Sequence, residues 1–132
     1  MTFKFSQINL DNCKAATLLL ENSLSENDID IVVAQDIYCA KDPVSKAFLP
    51  PEFDGYQSNY VIDESNLIFP KAVIYIKSIN NSTLISQCSN SHCITCCIHI
   101  DLSDDIFISS VYSPPTDILP SERTEVLLQL NM

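Results

Sequence analysis

The spacing of apolar residues changes period several times along the chain, and each change marks an element. Positions 3–10 put Phe3 and Phe5 on one face and end in the polar residues Gln7 and Asn9 around Ile8, which predicts a strand. Ala16, Leu19, Leu20 and Leu24 then recur at helical spacing. A helix is expected there, capped by Asp11 or Asn12 and ended by the polar stretch Ser25-Glu26-Asn27-Asp28. Positions 29–34, Ile-Asp-Ile-Val-Val-Ala, form a short β-branched run suited to a strand buried on both faces of a parallel sheet. Such a β-α-β unit keeps its strands parallel through a right-handed crossover. The strand ends carrying Asn9 and Gln35-Asp36 should therefore emerge on one edge of the sheet.

Positions 38–53 are irregular and contain Pro43, Pro50 and Pro51, the composition of a surface loop. Positions 56–62 and 71–77 read as two strands joined through Asp63-Glu64-Ser65-Asn66 and Pro70, and positions 94–102 and 106–112 as a hairpin around Ser103-Asp104-Asp105. Pro114-Pro115 cannot continue a central strand; after them Ser121 can cap a helix whose first turn holds Glu122 and Glu125 and whose stripe is Val126, Leu127, Leu128 and Leu130. There is no repeat or linker, so one α/β domain is expected.

The 132 residues are 46% hydrophobic, enough for a core and too much for a disordered chain. No apolar run approaches the ~20 residues that cross a bilayer, and Met1-Thr2-Phe3-Lys4-Phe5 lacks the order of a signal peptide. The expectation is an intracellular protein with no membrane partner and six reduced cysteines, for which the sequons at Asn80 and Asn81 carry no weight. A formal net charge of −10, from 7 Lys+Arg against 17 Asp+Glu, repels a polyphosphate and predicts weak DNA binding or none. One glycine in the whole chain excludes Gly-rich phosphate cradles.

The segment His92-Cys93-Ile94-Thr95-Cys96-Cys97-Ile98-His99 invites a zinc reading, because Cys-x-x-Cys near histidine can form a tetrahedral site. The period opposes it: Ile94, Cys96, Ile98 and Ile100 alternate as one face of a strand, where cysteine acts as a small buried hydrophobe. Asp101, Asp104 and Asp105 lack the glycine and spacing of a calcium loop and read as a solvated turn.

Three polar residues each follow an apolar strand: Asn9, Asp36 with its neighbour Gln35, and Tyr112. At the carboxyl ends of strands an amide, a carboxylate and a phenol can together hold a metal and a phosphate. Each also has an ordinary reading, as a residue satisfying backbone groups, a solvated strand end and a half-buried aromatic respectively.

The series Ser6-Gln7-Ile8-Asn9-Leu10, Asp30-Ile31-Val32-Val33-Ala34-Gln35-Asp36-Ile37-Tyr38, Pro70-Lys71-Ala72-Val73-Ile74-Tyr75, Ser109-Ser110-Val111-Tyr112-Ser113-Pro114-Pro115 and Ser121-Glu122-Arg123 resembles the endonuclease domain of non-LTR retrotransposons, within the endonuclease/exonuclease/phosphatase superfamily. The resemblance implies the N-terminal portion of that domain over 1–132, an incomplete four-layer α/β sandwich, and a magnesium-dependent DNA-nicking activity in the intact parent. It gives Asn9 the role of orienting metal and phosphate, Asp36 that of the magnesium-ligating residue and Tyr112 that of contacting the scissile phosphate. Position 36 departs from the family, which has Glu there. The later Gly-Asp-x-Asn and Ser-Asp-His motifs do not occur in the chain. Inactivity of the chain alone is therefore expected, along with an apolar sheet face left uncovered; the alternative is a non-catalytic interaction module derived from the same domain.

Overall fold

The computed structural model describes residues 2–63, 69–100 and 104–113. The helix expected after Ser121, the Pro114-Pro115 break, the tip of the hairpin at Ser103 and the connection through Glu64 to Asn66 lie outside the described residues. Within them the elements are β1 (Phe5–Asn9), α1 (Lys14–Glu26), β2 (Ile31–Gln35), β3 (Ala40–Lys41), β4 (Phe48–Leu49), β5 (Tyr56–Asn59), β6 (Ala72–Lys77), β7 (Asn81–Leu84), β8 (Cys93–His99) and β9 (Asp105–Val111), with a 3-10 turn at Ser86–Cys88.

The first sheet has the order β1-β2-β6-β5. β1 and β2 run parallel in the register Phe5–Ile31 to Asn9–Gln35, joined by α1 as a crossover. β6 joins β2 antiparallel with Gln35 opposite Ala72, and β5 closes the far edge antiparallel to β6. β2 and β6 are apolar without alternation because both of their faces are covered: Ile31, Val32, Ala34 and every residue of 72–76 are fully buried. On one face Leu20 and Leu24 of α1 pack with Leu10, Ile37 and Phe53 against Val32, Ala34, Val73 and Tyr75. On the other lies a second sheet, β7-β8-β9, whose Ile94, Cys96 and Ile98 meet Ile31, Ala72, Ile74 and Ile76.

The result is a mixed α/β arrangement of helix, sheet and sheet. β7, β8 and β9 cover the inner face of the first sheet, while Phe107, 66% exposed, stands on the outer face of the second. The two sheets are also clipped by polar groups. Gln35 Nε2 donates to Ser110 Oγ at 2.9 Å and Ser110 Oγ donates to the Ala34 carbonyl at 2.8 Å, so the fully buried serine is satisfied.

Several local expectations need correction. Neither Asp11 nor Asn12 caps the helix; both have φ of 52°, and the N-cap is Cys13, without a side-chain cap. The Asn12 N–H instead donates to the Asp36 carbonyl at 2.7 Å, which ties the loop to the end of β2. Short polar side chains tolerate this left-handed backbone, so the residues expected to start the helix make the turn before it. The buried stripe is Thr17, Leu20 and Leu24, while Leu19 is 64% exposed. Thr17 can face inward because its hydroxyl donates to the Cys13 carbonyl and accepts from the Tyr38 N–H. The strand expected over 56–62 stops at Asn59, whose side chain turns back to donate to the Ile74 carbonyl. The loop over 38–53 contains the small β3–β4 pair, and β7 had no apolar signal because Asn81, Ser82 and Thr83 form a polar edge strand.

Two outcomes follow from this packing. Leu24→Ala removes a side chain only 1% exposed from the junction of α1 and the first sheet; urea unfolding should show a loss of about 2–5 kcal/mol. Burial raises the thiol of Cys39 from 9.0 to about 11 and that of Cys96 to about 12. At neutral pH a thiol reagent should therefore label the exposed Cys13 and Cys88 first, and Cys39 and Cys96 only on unfolding. The sign for stability follows: the unfolded thiols ionise first, so urea midpoints should fall as pH rises above 9.0 and go on falling to about 12.

Candidate functional site

Strand register assembles a rim of polar residues from distant parts of the chain. Gln35 opposes Ala72, so the residue after β2, Asp36, neighbours the residue before β6, Lys71. The Asp36 N–H donates to the Lys71 carbonyl at 2.8 Å. Cys93 opposes Val111, so the residue before β8, His92, neighbours the residue after β9, Tyr112, and the Tyr112 N–H donates to the His92 carbonyl at 2.8 Å. The Lys71 N–H donates to the Ser91 carbonyl at 2.7 Å, which stitches the two sheets together at this edge.

The side chains continue the line set by the backbone. Lys71 Nζ lies 3.3 Å from Asp36 Oδ1, with the carboxylate side chain 14% exposed. The same ammonium sits 5.7 Å from the centre of the Tyr112 ring, and the His92 ring lies 5.7 Å from the Tyr112 ring. Asp36 has a φ of 51°, a conformation that short polar side chains tolerate better than long ones.

Asn9 reaches the same edge one strand away, opposite Gln35. Its side-chain oxygen accepts from the Asp11 N–H at 2.9 Å, and a second lone pair remains. Lys71 thus contacts both Asp36 and Tyr112, while Asn9 lies at the end of β1, opposite Gln35. The oxygens of Asp36 and Asn9 are the donors here that suit a hard cation. A second positive group, Lys14, sits over the Tyr38 ring at 5.7 Å, at the start of the helix that follows the Asn9 loop.

Sequence reasoning did not single out Lys71 or His92 for this edge. Lys71 looked like the start of a strand and His92 like part of the cysteine-rich segment. Their signal is relational: each lies one residue before a strand whose antiparallel partner is followed by Asp36 or Tyr112.

No protein-family model and no curated protein matches the sequence. Among solved structures the chain is similar to the endonuclease domain of TRAS1, a telomere-specific non-LTR retrotransposon, with a TM-score of 0.71 over 98% of this chain at 18% identity. The two share a fold. The chain spans 52% of the TRAS1 chain, about half its length. The likeness drawn from five short segments of sequence thus extends to three dimensions. No helix among the described residues is long and apolar enough to cross a membrane.

The clip behind the rim can be tested directly. Ser110→Ala leaves the buried Gln35 amide without its acceptor. Thermal or urea unfolding should show a loss of about 1–3 kcal/mol.

Proposed function

We propose that this chain carries the metal- and phosphate-holding edge of a magnesium-dependent DNA endonuclease domain, as the N-terminal portion of a four-layer α/β sandwich, and that these residues alone do not nick DNA. The observation that carries this reading is the continuous line Asp36–Lys71–Tyr112–His92 at the strand ends of a fold shared with the TRAS1 endonuclease domain.

In this reading the Asp36 carboxylate and the Asn9 amide oxygen hold magnesium, which prefers oxygen donors in tight geometry. The metal, when bound, offsets phosphate charge and stabilises the departing oxygen. The fit rests on the carboxylate's present company: Asp36 is a partly buried anion already held against a cation. A dication carries twice the charge of the ammonium that now faces Asp36, so it is attracted to the carboxylate more strongly at the same distance. A metal held by Asp36 would compete with Lys71 for the carboxylate, and Lys71, which also faces the Tyr112 ring, would offer its charge to a phosphate. Asp36, one methylene shorter than the Glu of the resembled family, suits its left-handed backbone.

Two features limit the isolated chain. The water-activating groups of the resembled domain belong to Gly-Asp-x-Asn and Ser-Asp-His motifs, and neither occurs in these 132 residues. The net charge of −10 also opposes long-range capture of DNA, leaving local groups such as Lys71 and Lys14 to hold it.

Three measurements test the reading. Supercoiled plasmid incubated with the chain and Mg2+ should stay unnicked; metal-dependent nicking that disappears in Asp36→Ala would overturn the inactivity. Calorimetric titration with Mg2+ should show binding that is lost in Asp36→Ala, and binding indifferent to that change would remove the metal from the rim. Lys71→Met should tighten Mg2+ binding by about tenfold, equivalent to about 1.4 kcal/mol of relieved competition.

A further inference from the structure

We propose that Cys97, His99 and Asp105 form a zinc site with an open fourth position on the outer face of the second sheet, separate from the rim. One sulfur, one ring nitrogen and one carboxylate oxygen from these residues all lie within 4.8 Å of one another. The β8 pleat puts Cys97 and His99 on the face opposite Ile94, Cys96 and Ile98, and the register sets Asp105 directly across from His99. The site lies at the far end of β8 from His92, about 20 Å away at ~3.3 Å per residue.

The distances bring the three donor atoms to one point. His99 Nδ1 stands 2.9 Å from Asp105 Oδ1 and 3.9 Å from Cys97 Sγ. A lone pair and a carboxylate cannot face each other so closely unless a proton or a metal lies between them. On the other side of the ring, Nε2 is 3.1 Å from Thr83 Oγ1 on β7. That is the outer partner a metal-bound imidazole needs: with a metal on Nδ1, the Nε2 proton would be donated to Thr83 Oγ1. Cys97 is 4% exposed, so a dication bound there would be shielded from water on that side and would take the sulfur as its thiolate. A thiolate and a carboxylate then balance the dication's charge. Sulfur, nitrogen and oxygen donors in one set suit zinc and not magnesium. The site does not use Cys-x-x-Cys spacing, since Cys93 and Cys96 point to opposite faces of β8.

The test is a Co2+ titration of the full reduced chain, read by thiolate-to-cobalt charge-transfer absorption. The band should appear, be displaced by Zn2+ and persist in excess Mg2+. It should vanish in Cys97→Ser and remain in Cys13→Ser, Cys88→Ser and Cys93→Ser. Asp105→Asn, at a half-exposed position that the core does not use, should weaken Co2+ at least ~10-fold, and Thr83→Val about 10–100-fold. No band, a band that survives Cys97→Ser, or unchanged affinity in Asp105→Asn would overturn the proposal. Plasmid nicking and Mg2+ binding at Asp36 are independent of every one of these outcomes.

Discussion

The position of β2 constrains everything else in this molecule, because it is hydrogen-bonded along both edges and covered on both faces. β1 lies parallel on one side of it and β6 antiparallel on the other, while α1 and the second sheet close its faces. A strand in that place can hold only apolar side chains along its body, as Ile31, Val32 and Ala34 do at 0% exposure. Polar groups are admitted only where the strand runs out, at Gln35 and Asp36. Gln35 is spent on satisfying the inter-sheet clip through Ser110, which leaves Asp36 as the first residue able to turn toward a ligand.

The packing of two sheets explains why the rim has the members it has. Each sheet contributes one antiparallel pair to this edge, and each pair sets a residue that follows a strand beside one that precedes a strand. The backbone bonds from Asp36 to Lys71, from Lys71 to Ser91 and from Tyr112 to His92 fix these four positions without help from side chains. The local cation then matters more than the overall charge. Although the chain carries −10, the carboxylate at the rim faces an ammonium, and the same ammonium faces an aromatic ring.

The two candidate metal positions differ in the hardness of their donors, and the difference has a structural origin. At the rim, residues leave the strands and offer amide and carboxylate oxygens beside solvent. On the outer face of β8 and β9, residues remain within the pleat, where period-two alternation sets a thiol and an imidazole side by side and the register adds a carboxylate. The likeness to TRAS1 at 18% identity is one of fold, since apolar patterning preserves a fold while the residues it positions are free to change.

Local periodicity by itself determined β1, α1, β2, β6 and the β8–β9 hairpin, the parallel pairing of β1 with β2, and the arrival of Asn9 and Asp36 at one edge. These are properties of neighbouring residues, and burial writes them directly into the spacing of apolar side chains. The sequence left unread the left-handed turn at Asp11 and Asn12, the inward Thr17, the polar edge strand β7, and the places of Lys71 and His92. Each of these depends on a partner far along the chain: Asp36 for the loop, Tyr38 for Thr17, β8 for β7, Asp36 again for Lys71 and Tyr112 for His92. Only tertiary structure decides such pairings, because strand register is settled by packing between segments and no single segment carries it.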